Sequence, residues 1–297
     1  MRVMVFGGTS LPAGRRTLAK DQYLRQVGLH MQDTTGSAKP GSDAMSGETQ
    51  TPVAVIVEGA ITTLWLDRPD RGNALGPALV MGLESAIDTA LAAGTRLIVL
   101  RGRGRNFCTG LDLADLETTS EGGLALRILR IALLLQKING LPITTMAIAA
   151  GRIYGAGADL FAACDHRLAL PNASFAFPGP AFGLVLGTGR LARLVGDGPA
   201  RRLLLACDAI SADQALAIGL ATAVLAADGI EAAVEAAHHG AVRLDPNTVA
   251  ALHDRTRSVD DAGDLAALAR SVARPGLKER IQAYRARSLA GPRPPSG

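Results

Sequence analysis

Four consecutive aliphatic residues at positions 97–100 (LIVL) constrain the fold of this chain more than any other segment. A short apolar run of this kind is typical of a strand that is covered on both faces, as in a parallel sheet. The helix predicted just before it, over residues 77–92, opens with Pro77 and keeps its apolar residues on one face. Because strands and helices alternate in this way up to residue 225, we predict an α/β fold.

The chain divides by composition into three parts. Residues 1–51 offer few side chains to bury after a short initial strand pattern, so we predict a flexible N-terminal extension there. Residues 52–228 are predicted to form one core, and residues 229–297 are predicted to be a helical region that ends in a short disordered tail. Within the core we predict strands at 53–57, 61–66, 143–149, 167–170, 174–177 and 223–225, helices at 126–138 and 158–164, and a glycine-rich turn at 151–157.

The composition argues against several functional classes. Aromatic residues make up only 3% of the chain, and 31 basic residues face 27 acidic ones, which favours a small anionic ligand over a nucleic-acid partner. Cys108, Cys164 and Cys207 are widely spaced, so we expect neither a disulfide framework nor a metal site. No apolar run has the length of a membrane span, and no secretory signal pattern is recognised. We therefore expect a cytoplasmic protein without membrane insertion.

Two predicted strand-to-helix junctions combine small residues with an aspartate. They are residues 107–113 (FCTGLDL) and residues 154–160 (YGAGADL). Small residues let another group approach the backbone, and the N–H groups in the first turn of a helix have no partner inside it. If the junctions converge, their amides can bind an oxyanion. Ordinary tight turns that pack a helix on a strand are the alternative interpretation.

Four segments, taken in order, resemble the motifs of the crotonase superfamily, the enoyl-CoA hydratase/isomerase family. They are residues 66–75 (LDRPDRGNAL), 107–113, 151–165 (GRIYGAGADLFAACD) and 173–194. The resemblance implies a crotonase-like spiral of ββα units with two near-perpendicular sheets and a C-terminal helical region that mediates trimers. It also implies an acyl-CoA as the small-molecule partner, a homotrimer or dimer of trimers, and no cofactor beyond the coenzyme A of the substrate.

By the same resemblance, the thioester oxygen is bound by the N–H groups of Ala156 and of Leu111, which follows Gly110. Loss of a proton α to a thioester leaves an enolate, which such preorganised donors stabilise. Asp159 stands at the position of one hydratase glutamate, and Gly179 stands at the position of the second. A single acid/base group can still move a proton between two carbons of one enolate. We therefore favour isomerase-like chemistry by Asp159 over hydration, with a non-catalytic acyl-CoA-binding protein of the same fold as the alternative.

Coenzyme A is expected, again by resemblance, along residues 68–75 and 101–110. A solvated basic loop is the alternative for the arginines of the second segment. Asp159 has an alternative interpretation as a helix N-cap, and Asp112 and Asp165 are interpreted as structural caps or loop anchors. The predicted contacts of coenzyme A are Arg68, Ala74, Leu75, Arg105, Gly110 and Leu113.

Three aromatic residues are further candidates for the site. Tyr154 and Phe182 are candidates to line the acyl pocket, with simple core packing as the alternative. Tyr284 lies in the last predicted helix, a region that in relatives of the family contacts the coenzyme A of a neighbouring subunit.

Overall fold

The structure is a computed structural model that describes residues 52–257 and 260–289. Strands and helices alternate along these residues, and the α/β prediction is confirmed. The predicted N-terminal extension, residues 1–51, and the predicted tail beyond residue 289 lie outside the described residues.

The strands of the described residues lie in two sheets. In chain order they are β1 (Val53–Glu58), β2 (Ile61–Leu66), β3 (Leu97–Gly102), β4 (Thr144–Ala149), β5 (Arg152–Tyr154), β6 (His166–Ala169), β7 (Ser174–Ala176), β8 (Ile210–Ser211) and β9 (Ala223–Val224). The larger sheet has the order β1-β2-β3-β4-β6-β9, in which β1 and β2 form an antiparallel hairpin and the other neighbours are parallel. The smaller sheet has the order β5-β7-β8, with β5 parallel and β8 antiparallel to β7.

The helices cover the sheets and form the C-terminal part of the chain. In chain order the described helices are α1 (Pro77–Ala92), α2 (Glu121–Asn139), α3 (Ala156–Ala162), α4 (Thr188–Val195), α5 (Asp197–Ala206), α6 (Ala212–Ala217), α7 (Ile230–Arg243), α8 (Pro246–Thr256), α9 (Asp261–Val272) and α10 (Leu277–Leu289).

Strand β3 is covered on both faces, as its uninterrupted apolar run predicts. Leu97 and Val99 pack in one cluster with residues of α7, whereas Ile98 and Leu100 pack in another with residues of α1. None of the four side chains is more than 1% exposed. Burial of each stabilises the fold by roughly 1.5–3 kcal/mol, which makes this strand a rigid centre for the loops that leave it.

The chain passes back and forth between the two sheets. It runs from β4 of the larger sheet to β5 of the smaller one, continues through α3, and returns to β6 before it enters β7. Two strands and a helix therefore form successive turns of a spiral at β4–β5–α3 and β6–β7–α4, as the resemblance implies. This path brings the loop after β3 beside the turn before α3, where Cys108 pairs with Ile153 in an isolated parallel bridge.

Several elements differ from the sequence prediction. Helix α3 spans Ala156–Ala162 instead of 158–164, and strand β8 was not predicted. Helix α2 begins at Glu121, five residues before the predicted start, because the Ser120 hydroxyl accepts the N–H of Gly123 as an N-cap. Glycine has a low helix propensity, so the glycines in the first turn weaken the helical pattern from which the start was predicted. Strand β5 lies within the predicted glycine-rich turn, and it forms only because β7 supplies a partner strand from another part of the chain.

The last two helices pack on α2 rather than on the sheets. Leu268 of α9 and Ile281 of α10 are buried in one cluster with Ile128 of α2. This packing closes one side of the region in which the two junctions meet. Among the described helices, none combines the length and the apolarity that a membrane span requires.

Candidate active site

The two predicted junctions lie against each other through their backbones. The N–H of Phe107 donates to the carbonyl of Ala150 at 2.9 Å, and the N–H of Tyr154 donates to the carbonyl of Cys108 at 3.0 Å. Gly110 has a φ of +95°, and a Cβ there would stand 2.6 Å from the Tyr154 carbonyl oxygen. Both the conformation and the close approach therefore require glycine at this position.

The backbone N–H groups of Leu111 and Ala156, both at this contact, have no acceptor among the described residues. The peptide group between Gly110 and Leu111 is held in place, because its carbonyl oxygen accepts the N–H of Leu75 at 2.7 Å. Ala156 is the first residue of α3, where a helix leaves its N–H groups unpaired. A Cβ on Gly110 would lie 3.4 Å from the Ala156 nitrogen, so the structure brings the two amides predicted for the oxyanion hole into one place.

Leu111 and Ala156 line a cavity of about 170 Å³. Its walls are mainly apolar, and Tyr154 and Phe182 contribute to them together with Leu113. An apolar wall excludes water and strengthens the interaction of any charge inside with nearby dipoles. The cavity is therefore suited to an acyl chain that carries one polar, reacting group.

Asp159 is the only carboxylate that lines this cavity within the described residues. Its side chain is buried, with the residue only 4% exposed, and it makes no hydrogen bond to the described residues. Burial raises its pKa from 3.8 to about 7, and the Arg190 guanidinium acts in the opposite direction. The N-cap of α3 is Gly155, without a side-chain cap, so the alternative interpretation of Asp159 as a helix cap is wrong.

Two residues beside Asp159 were not singled out in the sequence. Gly187, the N-cap of α4, has a φ of +64°, and a Cβ there would overlap the Asp159 carboxylate. Arg190, one turn into α4, is buried and acts electrostatically on the same carboxylate. Both belong to a segment that resembles a family motif, but a local pattern carries no information about the side chain they meet.

Gly179 lines the cavity at the position where the resemblance expects a second carboxylate. It begins a short 3-10 turn after β7. A Cβ at this position would meet nothing closer than Leu184, whose nearest atoms are 3.7 Å away. The place for a second side chain therefore exists, but no carboxylate fills it.

The predicted contacts at residues 68–75 are bonded to the first junction, residues 107–113. Arg68 donates from Nη1 to Oδ2 of Asp112 at 2.6 Å and to the Ala74 carbonyl at 3.4 Å. The Leu75 carbonyl accepts the N–H of Asp112 at 3.2 Å, so both polar backbone groups of Leu75 are already paired. Asp112 thus acts as a loop anchor, as predicted. Asp165 also anchors a loop, because its Oδ2 accepts the N–H of Thr145 at 2.8 Å.

Arg101 at the end of β3 and Arg103 and Arg105 in the loop after it have different surroundings. Arg101 and Arg103 stack on the ring of Trp65, with guanidinium carbons 4.5 and 5.0 Å from its centroid. Arg103 also pairs with Asp67 at 3.4 Å. Arg105 is exposed and makes no hydrogen bond or ion pair with the described residues, so its charge is free for a phosphate.

Tyr284 of α10 lines the cavity of its own chain. Its ring lies 5.1 Å from that of Phe182, centroid to centroid. The expectation from relatives was a contact with a neighbouring subunit's coenzyme A. The packing of α10 on α2 places the tyrosine at this cavity, and the expected contact between subunits stays a prediction.

Comparison with known proteins gives a consistent picture. The family model for enoyl-CoA hydratase/isomerase matches residues 57–270. A protein assigned as the enoyl-CoA hydratase echA6 of Mycobacterium leprae is 35% identical over 180 residues, which are 58% of this chain and 70% of the relative. The crotonyl-CoA hydratase of Syntrophomonas wolfei is 32% identical over 180 residues, covering 57% of this chain and 66% of the relative.

A solved structure extends the likeness to the fold. A protein assigned as an enoyl-CoA hydratase/isomerase from Bordetella parapertussis is 46% identical to this chain, with a TM-score of 0.78. The match covers 81% of this chain and 99% of that structure.

Proposed function

The chain belongs to the enoyl-CoA hydratase/isomerase family, and from this premise we propose that it is an enzyme that forms and protonates the enolate of an acyl-CoA thioester. The observation that carries the proposal is a buried carboxylate, Asp159, in the same apolar cavity as two unpaired backbone amides. One group can exchange a proton with carbon, and the other two can hold the negative oxygen that results.

The amides of Leu111 and Ala156 are the proposed oxyanion hole. When a proton leaves the carbon α to the thioester, negative charge develops on the carbonyl oxygen, and the two N–H groups stabilise it without reorganising. Loss of one such donor typically costs about 10²–10³ in kcat, or roughly 3–4 kcal/mol. The apolar walls increase this contribution because they keep water away from the charge.

Asp159 is the proposed acid/base group. As carboxylate it takes the proton from C2 of a 3-enoyl thioester, and the electron pair of that C–H bond is delocalised as a dienolate. The resulting carboxylic acid returns the proton to C4, which leaves the conjugated 2-enoyl thioester and restores the carboxylate. A pKa of about 7 suits both steps, because the proton is held neither too tightly nor too loosely near neutral pH.

Hydration needs a second group that this cavity lacks within the described residues. Addition of water across the double bond requires activation of the water and delivery of a proton to the α-carbon, which the resemblance assigns to two glutamates. Gly179 supplies no carboxylate, and Asp159 is one methylene shorter than glutamate. We therefore propose that isomerisation exceeds hydration.

Coenzyme A is proposed to lie along residues 68–75 and the loop before Gly110. The exposed Arg105 is the proposed phosphate contact, since its charge is not paired with a carboxylate of the described residues. Arg68 is proposed to act mainly through Asp112, which it holds beside the oxyanion hole.

Assembly is a separate proposal, supported by family membership. We propose a cytoplasmic homotrimer or a dimer of trimers. Sedimentation analysis is then expected to give three or six times the chain mass of 30.6 kDa. A mass of one chain at working concentration contradicts the trimer without affecting the proposed chemistry.

Turnover of a panel of acyl-CoA esters tests the reaction. The wild type is expected to convert 3-enoyl-CoA to 2-enoyl-CoA faster than it hydrates 2-enoyl-CoA, and Asp159→Ala is expected to lose both. Hydration as the faster reaction, retained by Asp159→Ala, makes the assignment of roles wrong. Saturable binding of acyl-CoA without turnover of any ester selects the non-catalytic binding protein instead.

A gain of function tests the missing carboxylate. Gly179→Glu places its Cβ in ordinary contact with Leu184, so the variant is expected to fold. Its ratio of hydration to isomerisation is expected to rise, because a second acid/base group enters the cavity. Gly179→Gln is the matched control, with the same size and no carboxylate. Equal ratios in both variants contradict the idea that the absent carboxylate limits hydration.

A further inference from the structure

A second cavity, of about 290 Å³, is lined by a cluster of basic side chains. It lies where the ends of α2 and α3 meet α4 and α8, and Asn139 and Asp165 contribute polar atoms to it. The basic side chains that line it are Arg167, Arg190, Arg193, His253 and Arg257. None of the three groups proposed to act on the thioester, Leu111, Ala156 and Asp159, lines this second cavity.

The guanidinium of Arg190 has no hydrogen-bond partner among the described residues. The residue is only 7% exposed, and its Nε is buried without an acceptor. Burial lowers the pKa of Arg190, whereas Asp159, Asp264 and Asp261 act in the opposite direction without forming an ion pair with it. An arginine stays protonated even so, and a buried cation without an acceptor is costly unless a ligand or water supplies one.

The charges in the cavity do not balance. Arg193 pairs with Asp264 at 3.2 Å, and Arg257 pairs with Asp261. Arg190 remains without such a pair, and Asp165 is the only carboxylate that lines the cavity within the described residues. One oxygen of Asp165 is already bonded to Thr145, as described above.

Arg167 adds to the positive charge without binding a carboxylate. Its Nε donates to the Leu220 carbonyl at 2.8 Å, and its Nη1 donates to the carbonyls of Cys164 and Asp165 at 2.9 Å. These bonds fix the guanidinium but leave its charge uncompensated. His253, 4.0 Å from Asp165, adds a group that becomes cationic on protonation.

We propose that this cavity is a binding site for a small phosphate-type oxyanion, held by the guanidinium of Arg190 with Arg257 and His253 beside it. Two further polar atoms of the lining residues lack a hydrogen-bond partner among the described residues. The Nε of Arg257 is buried without an acceptor, and Oδ1 of Asn139 is buried without a donor. Hydrogen phosphate offers oxygen acceptors to the arginines and a hydroxyl to Asn139, whereas sulfate offers acceptors only.

Calorimetric titration of the full chain with inorganic phosphate, at constant ionic strength, tests the site. Saturable binding is expected, weaker for sulfate and absent for chloride. Arg190→Gln is expected to weaken phosphate binding at least about tenfold, since charged hydrogen bonds are the strong ones. Arg201→Gln is the matched control on the neighbouring helix α5, where the side chain is exposed, and is expected to bind phosphate as the wild type does.

His253→Gln keeps the test decisive if Arg190→Gln does not fold. His253 is partly exposed and lies on α8, so its replacement is expected to leave the fold intact and to weaken phosphate binding. Phosphate that binds no better than chloride overturns the proposal. Equal phosphate affinity in the wild type and in a folded Arg190→Gln or His253→Gln variant overturns it as well.

Discussion

Replacement of Asp159 by asparagine is expected to remove activity and to stabilise the protein at the same time. Asparagine has nearly the same shape, but it neither accepts a proton from carbon nor carries a charge. A positioned acid/base group contributes about 10²–10⁴-fold to rate, so kcat is expected to fall by at least about 10². In the wild type, kcat/KM is expected to rise with pH and to level off above about 7, because the carboxylate is the form that takes the first proton.

The stability effect follows from the burial of the same carboxyl. Between pH 3.8 and about 7 the folded protein keeps a proton that the unfolded chain has lost. The free energy of unfolding, and with it the stability, therefore falls as pH rises through this window. The fall is about 4 kcal/mol in all, at about 1.4 kcal/mol for each pKa unit. Asparagine does not titrate, so the variant is expected to be more stable than the wild type above pH 7 and to lose this advantage below pH 4.

Urea denaturation from pH 4 to pH 8, combined with turnover of 3-enoyl-CoA, measures both effects. Asp254→Asn is the matched control, because Asp254 is an exposed aspartate on α8 away from the cavity. It is expected to change neither quantity. An Asp159→Asn variant that keeps wild-type turnover contradicts the acid/base role of Asp159, and one whose stability relative to the wild type does not depend on pH contradicts its raised pKa.

Three other substitutions test single contacts. Ala156→Pro fits the first position of α3 but deletes one N–H of the proposed oxyanion hole, so kcat/KM is expected to fall at least about 10²–10³-fold. Ala156→Gly keeps the N–H and is expected to retain most activity. Equal activities of the two variants contradict the proposed role of this N–H. Gly187→Ala puts a Cβ against Asp159 at a positive φ, so we expect a loss of activity and a free energy of unfolding lower by about 1–2 kcal/mol in urea denaturation. A variant with unchanged activity and stability contradicts a close contact between Gly187 and Asp159. Asp112→Asn removes the charged partner of Arg68, so the free energy of unfolding is expected to fall by about 1.5–3 kcal/mol; Asp254→Asn again serves as the control, and equal losses in both speak against an anchoring role.

Local periodicity and the order of motifs were enough to predict the fold. The run at 97–100 predicted a strand covered on both faces, and α1 and α7 do cover β3. Elements whose formation depends on a distant partner were missed. Strand β5 has three residues and is a strand only because β7 lies beside it. The start of α2 was missed because glycines in its first turn weaken the helical pattern.

The candidate site likewise has residues that could be predicted from the sequence and residues that could not. Leu111, Ala156 and Asp159 were named as site residues because the two junctions resemble motifs of the crotonase superfamily, whereas the small residues alone left ordinary tight turns as the alternative. The contact of Gly187 with Asp159 and the position of Tyr284 at the cavity were not predicted, because the groups that they approach come from other parts of the chain. Motif spacing identifies what a backbone turn offers, whereas the groups that close the site are set by tertiary packing alone.

The carbonyl stretching frequency of a bound acyl-CoA, labelled with carbon-13 at the thioester carbon, tests most directly whether the amides of Leu111 and Ala156 hold the thioester oxygen. Two hydrogen bonds from an apolar cavity polarise the carbonyl, so the band of the bound ligand is expected at lower frequency than that of the ligand in water. Ala156→Gly, which keeps its N–H, is expected to retain this shift. A bound ligand whose carbonyl band stays at the solution frequency contradicts the account.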